Sequence, residues 1–326
     1  LDRLNRSREE RVSGEELAEE LGCSRQAVSK QIAALRAEGI PIRREPRKGY
    51  VLEGPPGAES FSPSWAEWLL RKSPLGRPVV HVPRVSSTQA LAAELARKGA
   101  PGGLAVVAEE QPGGKGRRGR TWVLPPGQGL AISFLLRPRL PQRNAPLLSL
   151  AAAVAAARAT EALSGVRPIL KWPNDLLFGE RKFCGILCES AGEPDRIVHA
   201  VIGIGLNVLS GPESFPEELR PRATSIRAEI GKAVPRTELY AALAEALGAL
   251  LEDLEHPGGE GRFVETYRSR CDTLGRTVRV VLEGEERIGE ALGIDEDGAL
   301  RVRFDDGDRP IHAADLVHLR GEGIRA

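Results

Sequence analysis

The chain has 326 residues, 41% of them hydrophobic and 28% charged, with a formal net charge of +1. That composition excludes a disordered chain, and the charge balance excludes whole-molecule attraction to polyanions, so any nucleic-acid role must come from a local patch. Four scattered cysteines, no visible signal peptide and no long apolar run read as a reduced, cytoplasmic protein with no membrane partner; methionine is absent even at position 1, which reads as a trimmed start.

Residues 1–56 form the first unit. Ser13 caps a helix over Gly14–Leu21, with Glu16 at the reciprocal capping position. Gly22-Cys23-Ser24 makes a tight turn. Ser24 then caps a second helix over Arg25–Glu38, whose Ala27, Val28, Ile32 and Leu35 fall at helical spacing, and Gly39 stops it. Ile40–Leu52 carries Arg43, Arg44, Arg47, Lys48 and Gly49 and reads as a two-stranded hairpin. Helix, short turn, helix and basic hairpin is the pattern of a winged helix-turn-helix. Residues 1–52 hold eleven Lys or Arg against nine Asp or Glu, so charge arithmetic alone does not separate a DNA reader from a helical hairpin used for packing. The distribution is more telling, since the acids sit mostly before the turn, while Arg25, Lys30 and the hairpin bases sit after it. Ser24, Arg25, Gln26, Ser29 and Lys30 on the second helix, with Arg43, Arg44, Arg47 and Lys48 on the hairpin, are the candidate DNA contacts. Leu1 and Leu4 give the first helix a poor apolar face.

Glu53-Gly54-Pro55-Pro56-Gly57 is a linker by composition. Residues 57–271 then mix strands and helices at hairpin-length connections. Helices are expected over Ser64–Lys72, Thr88–Arg97, Pro146–Leu163, 238–255 and 261–270. Strands are expected near Val79–Val82, Leu104–Glu109, Ala131–Leu136, Ile169–Trp172, Lys182–Glu189 and Ile197–Ile204. This is a mixed sheet with helices, not a βαβ repeat. In residues 272–326, short strands at Thr277–Leu282, Arg287–Ile294, Ala299–Phe304 and Arg309–His312 alternate with Gly-Glu and Asp-Gly turns, the pattern of a small antiparallel barrel.

The strongest local signal is Lys115-Gly116-Arg117-Arg118-Gly119-Arg120, four cations and two glycines directly after an apolar strand. Glycine lets backbone approach a ligand closely and arginine forks match phosphate oxygens, so the loop reads as a phosphate clamp. Gly114-x-Gly116-x-x-Gly119 matches the dinucleotide fingerprint only formally. Pro125 and Pro126 forbid the helix that must follow, and no Gly-Lys-Ser/Thr P-loop is present. Lys171-Trp172-Pro173-Asn174-Asp175 delivers a cation, an aromatic face, an amide and a carboxylate to one strand end, although Pro-Asn-Asp is also ordinary turn chemistry. Lys182 leads a strand in which Lys182, Cys184, Ile186 and Cys188 are expected on one face, with the cysteines packing rather than binding zinc. Gly203-Ile204-Gly205-Leu206-Asn207 closes another strand and suits a flat ligand or a bulge. Ser86-Ser87-Thr88-Gln89 caps a helix whose N-terminus also suits a carboxylate or ring carbonyl.

Taken in order, these motifs resemble the biotin protein ligase family, in its bifunctional ligase and biotin-operon-repressor form. The Lys171–Asp175 box is unchanged, and the arginine loop, the lysine strand and the glycine-asparagine strand follow at the family's spacing. Two positions depart: Gln89 stands where asparagine is usual, and Lys115 replaces the loop's first arginine. The resemblance implies an α+β multidomain chain with a winged helix-turn-helix, a class II aminoacyl-tRNA synthetase/biotin synthetase-like mixed-sheet ligase domain, and an SH3-like C-terminal β-barrel over 272–326. It implies that ATP and biotin, with Mg²⁺, give biotinyl-5′-AMP, and that biotin passes to a lysine of a biotin carboxyl carrier protein of acetyl-CoA carboxylase or a similar protein. By the same resemblance Ser87, Thr88, Gln89, Gln111, Lys115, Gly116, Arg117 and Lys182 hold biotin. Arg118, Arg120, Trp122, Lys171, Asn174, Asp175 and Asn207 line the nucleotide site, and Lys182 and Arg117 are the catalytic pair. Operator DNA and a homodimeric partner are further implications; no metal ligands are assigned. Two rivals stand beside this reading: a ligase with a vestigial DNA-binding domain, and a biotin-sensing regulator without ligase activity. Lipoate ligation lacks its arginine-serine-glycine box and His-Asp pair here.

Overall fold

The computed structural model describes residues 1–6, 11–46, 48–282, 285–312 and 314–319. Three α-helices open the chain: α1 (Asp2–Arg6), α2 (Gly14–Glu20) and α3 (Arg25–Ala37). Ser13 and Glu16 form the reciprocal capping box of α2, and Ser24 Oγ accepts from Ala27 N–H at the start of α3. The hairpin β1 (Ile42–Glu45) and β2 (Gly49–Leu52) follows. Leu4 of α1 is buried with Leu17, Val28, Ile32 and Ile40, and Trp68 Nε1 donates to Asp2 Oδ1 at 2.8 Å, so the weak first helix is held by a leucine and that hydrogen bond. Trp65 of α4 (Pro63–Leu69) completes this apolar cluster, which seats the winged helix against the central unit.

The central sheet has seven strands in the order β3-β4-β5-β9-β8-β7-β6. They are β3 (Val79–Arg84), β4 (Ala105–Glu110), β5 (Gly129–Leu136), β6 (Ile169–Lys171), β7 (Asp175–Phe178), β8 (Arg181–Glu193) and β9 (Arg196–Asn207). Only β3 and β4 run parallel; every other pairing is antiparallel. Helix α5 (Thr88–Arg97) covers one face through Ala92 and Ala96, against Val106, Leu135 and Val201. The opposite face carries α6 (Ala145–Ser164) and, after the short α7 (Ile226–Ile230), α8 (Arg236–Glu255) and α9 (Gly259–Arg268). The alanines of α6 let it lie close to the sheet and α8; it is long and apolar enough to span a bilayer but is a mostly buried core helix.

Strands β7 and β14 and helix α7 were not expected from the sequence, being four or five residues long and without a usable period. The C-terminal sheet comprises β10 (Thr277–Leu282), β11 (Glu285–Ile294), β12 (Leu300–Phe304), β13 (Gly307–Ile311) and β14 (Asp315–His318), in the order β13-β12-β11-β10-β14. All pairs are antiparallel, and no ladder joins β13 to β14 among the described residues, so the expected barrel is an unclosed sheet by hydrogen bonding. Its Val278, Val280, Ile294 and Val302 share one apolar cluster with the central sheet.

Candidate active site

Cross-strand partners in an antiparallel ladder share a face. Asp175 pairs with Gly185 and Gly185 with Gly205; Leu187 pairs with Gly203 and Gly203 with Ser133. These residues therefore lie on the α5 face, in the part that α5 leaves open. A cleft of about 640 Å³ occupies that space.

Lys182 reaches the cleft through an irregularity. The β7–β8 register shifts between Leu176 and Leu177, so that Cys184 pairs with Leu176 while Lys182 pairs with Leu177, leaving Phe183 as an extra residue. This corrects the expected common face for Lys182, Cys184, Ile186 and Cys188. Lys182 turns toward Gly185 and the cleft, whereas Cys184 and Ile186 enter the core beneath α6. Burial pushes both thiols up, Cys188 to about 12, so neither is a thiolate at neutral pH; packing is their role. Lys182 Nζ stands 2.6 Å from Asp175 Oδ1 and 5.4 Å from the centre of the Trp122 ring.

At one end of the cleft the helix cap forms a polar network. Thr88 donates to Gln111 Oε1 from its backbone N–H at 3.2 Å and from Oγ1 at 3.1 Å, and Ser133 Oγ donates to Thr88 Oγ1 at 2.9 Å. With its carbonyl engaged, Gln111 presents its amide N–H₂ as donor. Gln89 Nε2 donates to Glu189 Oε2 at 2.9 Å and to Val201 O at 3.0 Å, and its Oε1 belongs to the same network, 3.3 Å from Ser133 Oγ. Ser87 caps α5, and all five residues line the cleft.

The basic loop is a compact hairpin here. Trp122 N–H donates to Gly114 O at 2.9 Å, Gly116 N–H to Arg120 O at 2.6 Å, and Lys115 and Thr121 bridge. Lys115, Gly116, Arg117, Arg120 and Trp122 line the cleft, and Arg117 Nη1 donates to Asn174 Oδ1 at 3.4 Å. Arg118 is placed elsewhere. Its backbone sits at φ 53, and its guanidinium donates to Val281 O of the C-terminal sheet at 3.2 Å. The Trp122 indole lies on Gly185 and Gly205, where any Cβ would collide with the ring, and its Nε1 is buried with no hydrogen-bond partner among the described residues.

Lys171, Asn174, Asp175 and Asn207 complete the opposite end of the cleft. Asn174 Nδ2 donates to Ile186 O at 2.8 Å, locking the turn to β8. Trp172 also borders the cleft but is only 1% exposed, and it is tied to the C-terminal unit, donating from Nε1 to Gly298 O and from its backbone to Thr273 Oγ1. Phe215, Leu219 and Arg222 also line the cleft, from a segment docked on β8 by Lys182 N–H to Arg222 O at 2.7 Å; Leu316 and Val317 line it from β14. Sequence reading missed them because they lie in irregular chain or a different unit and carry no spacing signal.

On the winged helix, Arg25, Gln26, Ser29 and Lys30 lie exposed on α3, as do Arg44 and Lys48 on the hairpin. Ser24 spends its hydroxyl oxygen on the cap. Arg43 is paired with Glu45 and, at 2.6 Å, with Glu53, so two carboxylates compete with any phosphate for it. Arg47 lies outside the described residues.

Three family models match the chain: the biotin/lipoate A/B protein ligase family over residues 81–207, an HTH domain over 1–51, and the biotin protein ligase C-terminal domain over 273–319. The bifunctional ligase/repressor BirA of Bacillus subtilis (strain 168) is 36% identical over 306 residues, covering 94% of this chain and 93% of that protein. The biotin–[acetyl-CoA-carboxylase] ligase of Paracoccus denitrificans is 36% identical, covering 72% of this chain and 97% of its own. Among solved structures, the biotin protein ligase of Aquifex aeolicus in complex with biotin and ATP superposes with a TM-score of 0.65 at 28% identity, over 74% of this chain and all of that one.

Proposed function

The chain belongs to the biotin protein ligase family, and from that premise we propose that it activates biotin with ATP, transfers it to a carrier lysine, and represses transcription through its winged helix. The observation that carries the ligase reading is the Lys182 ammonium, which lines one cleft together with the Thr88, Gln89, Gln111 and Ser133 network and the basic hairpin. The ureido ring of biotin fits the polar end, and its carboxylate then lies toward Lys182.

In the first step a carboxylate oxygen attacks the α-phosphorus of ATP. The new O–P bond forms as the bond to the β-phosphate oxygen breaks, releasing pyrophosphate and leaving biotinyl-5′-AMP. Two anions must meet, so Lys182, Lys115 and Arg120 neutralise the charge that builds on the phosphoryl oxygens. Asp175 holds Lys182 in place at 2.6 Å. In the second step the carrier's lysine Nζ attacks the acyl carbon, the C–O bond to AMP breaks, and an amide forms. The basic hairpin, acting as a lid, keeps the mixed anhydride from water between the steps.

Magnesium held by nucleotide phosphates needs only one or two protein carboxylates. Asp175 and Glu180 line the cleft and suit that role, while no group of three His, Cys, Asp or Glu side chains forms a metal cluster among the described residues. We assign the central unit, 57–271, to the class II synthetase-like folds. The five antiparallel strands and the bulge at Ala291–Gly293 suit an SH3-like barrel for 272–326, with 1–56 as the DNA-binding unit. A biotin carboxyl carrier protein is the macromolecular substrate, and a homodimer is the form proposed to bind operator DNA. All four cysteines are free thiols, which suits a reducing cytoplasm.

Incubation with biotin, ATP, Mg²⁺ and a carrier domain, with and without palindromic operator DNA, tests both roles. Expected are carrier-lysine biotinylation and adenylate-dependent DNA retention. Biotinylation without retention leaves a ligase with a structural winged helix; retention without biotinylation leaves a biotin sensor.

A further inference from the structure

Arg236, in the first turn of α8, has a side chain only 4% exposed, yet its guanidinium joins three segments far apart in sequence. Nη1 donates to Glu109 Oε2 at 2.7 Å and to Gly129 O at 3.0 Å, and Nη2 donates to Glu59 O at 2.7 Å. Nε meets no acceptor among the described residues, so the two Nη groups make the whole hold. Glu109 lies at the end of β4 and Gly129 begins β5. The two acceptors on the central sheet are therefore the two stems of segment 111–128, which carries the basic hairpin. Glu59 belongs to the connection from the winged helix.

That connection is gripped further along. Ser62 N–H donates to Thr237 Oγ1 at 3.1 Å, and Phe61 packs against His81 and Tyr240. Ser62 Oγ donates to Glu38 Oε2 at 2.6 Å, while Ser64 donates to the same carboxylate from its N–H and hydroxyl. Glu38 is the C-cap residue of α3. A contiguous polar path thus runs from both lid stems through Arg236, Thr237 and residues 59–64 to the end of the helix that presents Arg25, Gln26, Ser29 and Lys30. Glu109 stays ionised along this path. Burial works to raise its pKa, but the hydrogen bonds from His81 and Arg236 outweigh burial and hold it below the usual carboxylate range.

We propose that Arg236 is a positioning residue for the lid, and that it makes the winged-helix connection part of the lid's anchorage. A buried guanidinium is expensive to leave unmatched, and a planar fork reaches three acceptors that an ammonium cannot reach together. The proposal rests on reading the 111–128 segment as a lid over the adenylate.

The test is Arg236→Lys in the full chain, with two readouts. Amide hydrogen exchange of the ligand-free protein should accelerate about tenfold in 111–128 and 58–62 together, with α6 unchanged, as expected for loss of one charge-assisted hydrogen bond. Preformed biotinyl-adenylate should also dissociate about tenfold faster. Glu109→Gln keeps an acceptor without the charge; it should fall between Arg236→Lys and wild type, and it carries both readouts if Arg236→Lys does not fold. Acceleration confined to 58–62 would reduce Arg236 to an interdomain strut, and unchanged exchange in 111–128 would overturn the proposal. If the wild-type protein makes no adenylate, the functional reading fails separately and the exchange data still decide the anchorage.

Discussion

Lys182 owes its place to a single extra residue. Without the Phe183 bulge the strand would alternate regularly and the ammonium would face the core beside Cys184, where an unpaired charge is strongly unfavourable. With the bulge it meets Asp175 at the mouth of the cleft. Lys182→Ala should slow biotin-dependent pyrophosphate exchange about a thousandfold, the scale of losing one preorganised electrostatic contact; normal exchange would remove Lys182 from the chemistry. Arg117 plays a different part, holding the hairpin to the Lys171–Asp175 turn through Asn174. Arg117→Gly should leave adenylate synthesis largely intact while bystander lysines become biotinylated about tenfold faster, as released adenylate acylates them. Mass spectrometry of a mixture of carrier and non-carrier protein reads this directly, and modification of the carrier alone would count against the retaining role.

At the scale of elements, the Lys171–Asp175 turn is held from behind by the C-terminal sheet. Trp172 N–H donates to Thr273 Oγ1, which in turn bonds His318 Nε2 at 3.0 Å. Burial, then the nearby Lys171 and Arg276 charges, lowers the His318 pKa from 6.5 to about 4, so the imidazole is neutral at physiological pH. Because the unfolded state binds this proton more readily, the contribution is fully present above pH 6.5. It is lost as pH falls toward about 4. Discounted for partial solvent contact, the loss is on the order of 1–2 kcal/mol. Denaturant titrations at several pH values should show His318→Gln flattening the stability decline across that window; an unchanged slope would assign the decline to other groups. The motif itself was legible as Lys-Trp-Pro-Asn-Asp, yet nothing in those five residues tells which side chains face a ligand. All five border the cleft, yet the Trp172 indole is spent on the unit interface, donating to Gly298 O.

At the scale of the whole molecule the three units are one packed body. The winged helix shares its apolar cluster with Trp65 of α4, and the C-terminal sheet shares the central core. Trp172→Ala should therefore destabilise the central and C-terminal units together, by about 3–5 kcal/mol for a buried tryptophan. A single, downshifted calorimetric transition is the expected result, and two resolved transitions would show the units to be thermally independent. By itself the sequence determined the order of the three units, most of their helices and strands, and the basic and polar motifs that line part of the cleft, because caps, apolar periodicity and the basic and Lys171–Asp175 motifs are local signals. Only the tertiary structure decided that Lys182 turns to the cleft, that Arg118 reaches the C-terminal sheet, that Gln89 and Gln111 join one polar network through Thr88 and Ser133, and that Arg236 ties Glu109 and Gly129 to the winged-helix connection. Each depends on a strand register or a contact between residues far apart in the chain, and such contacts leave no periodic trace in the segments they join.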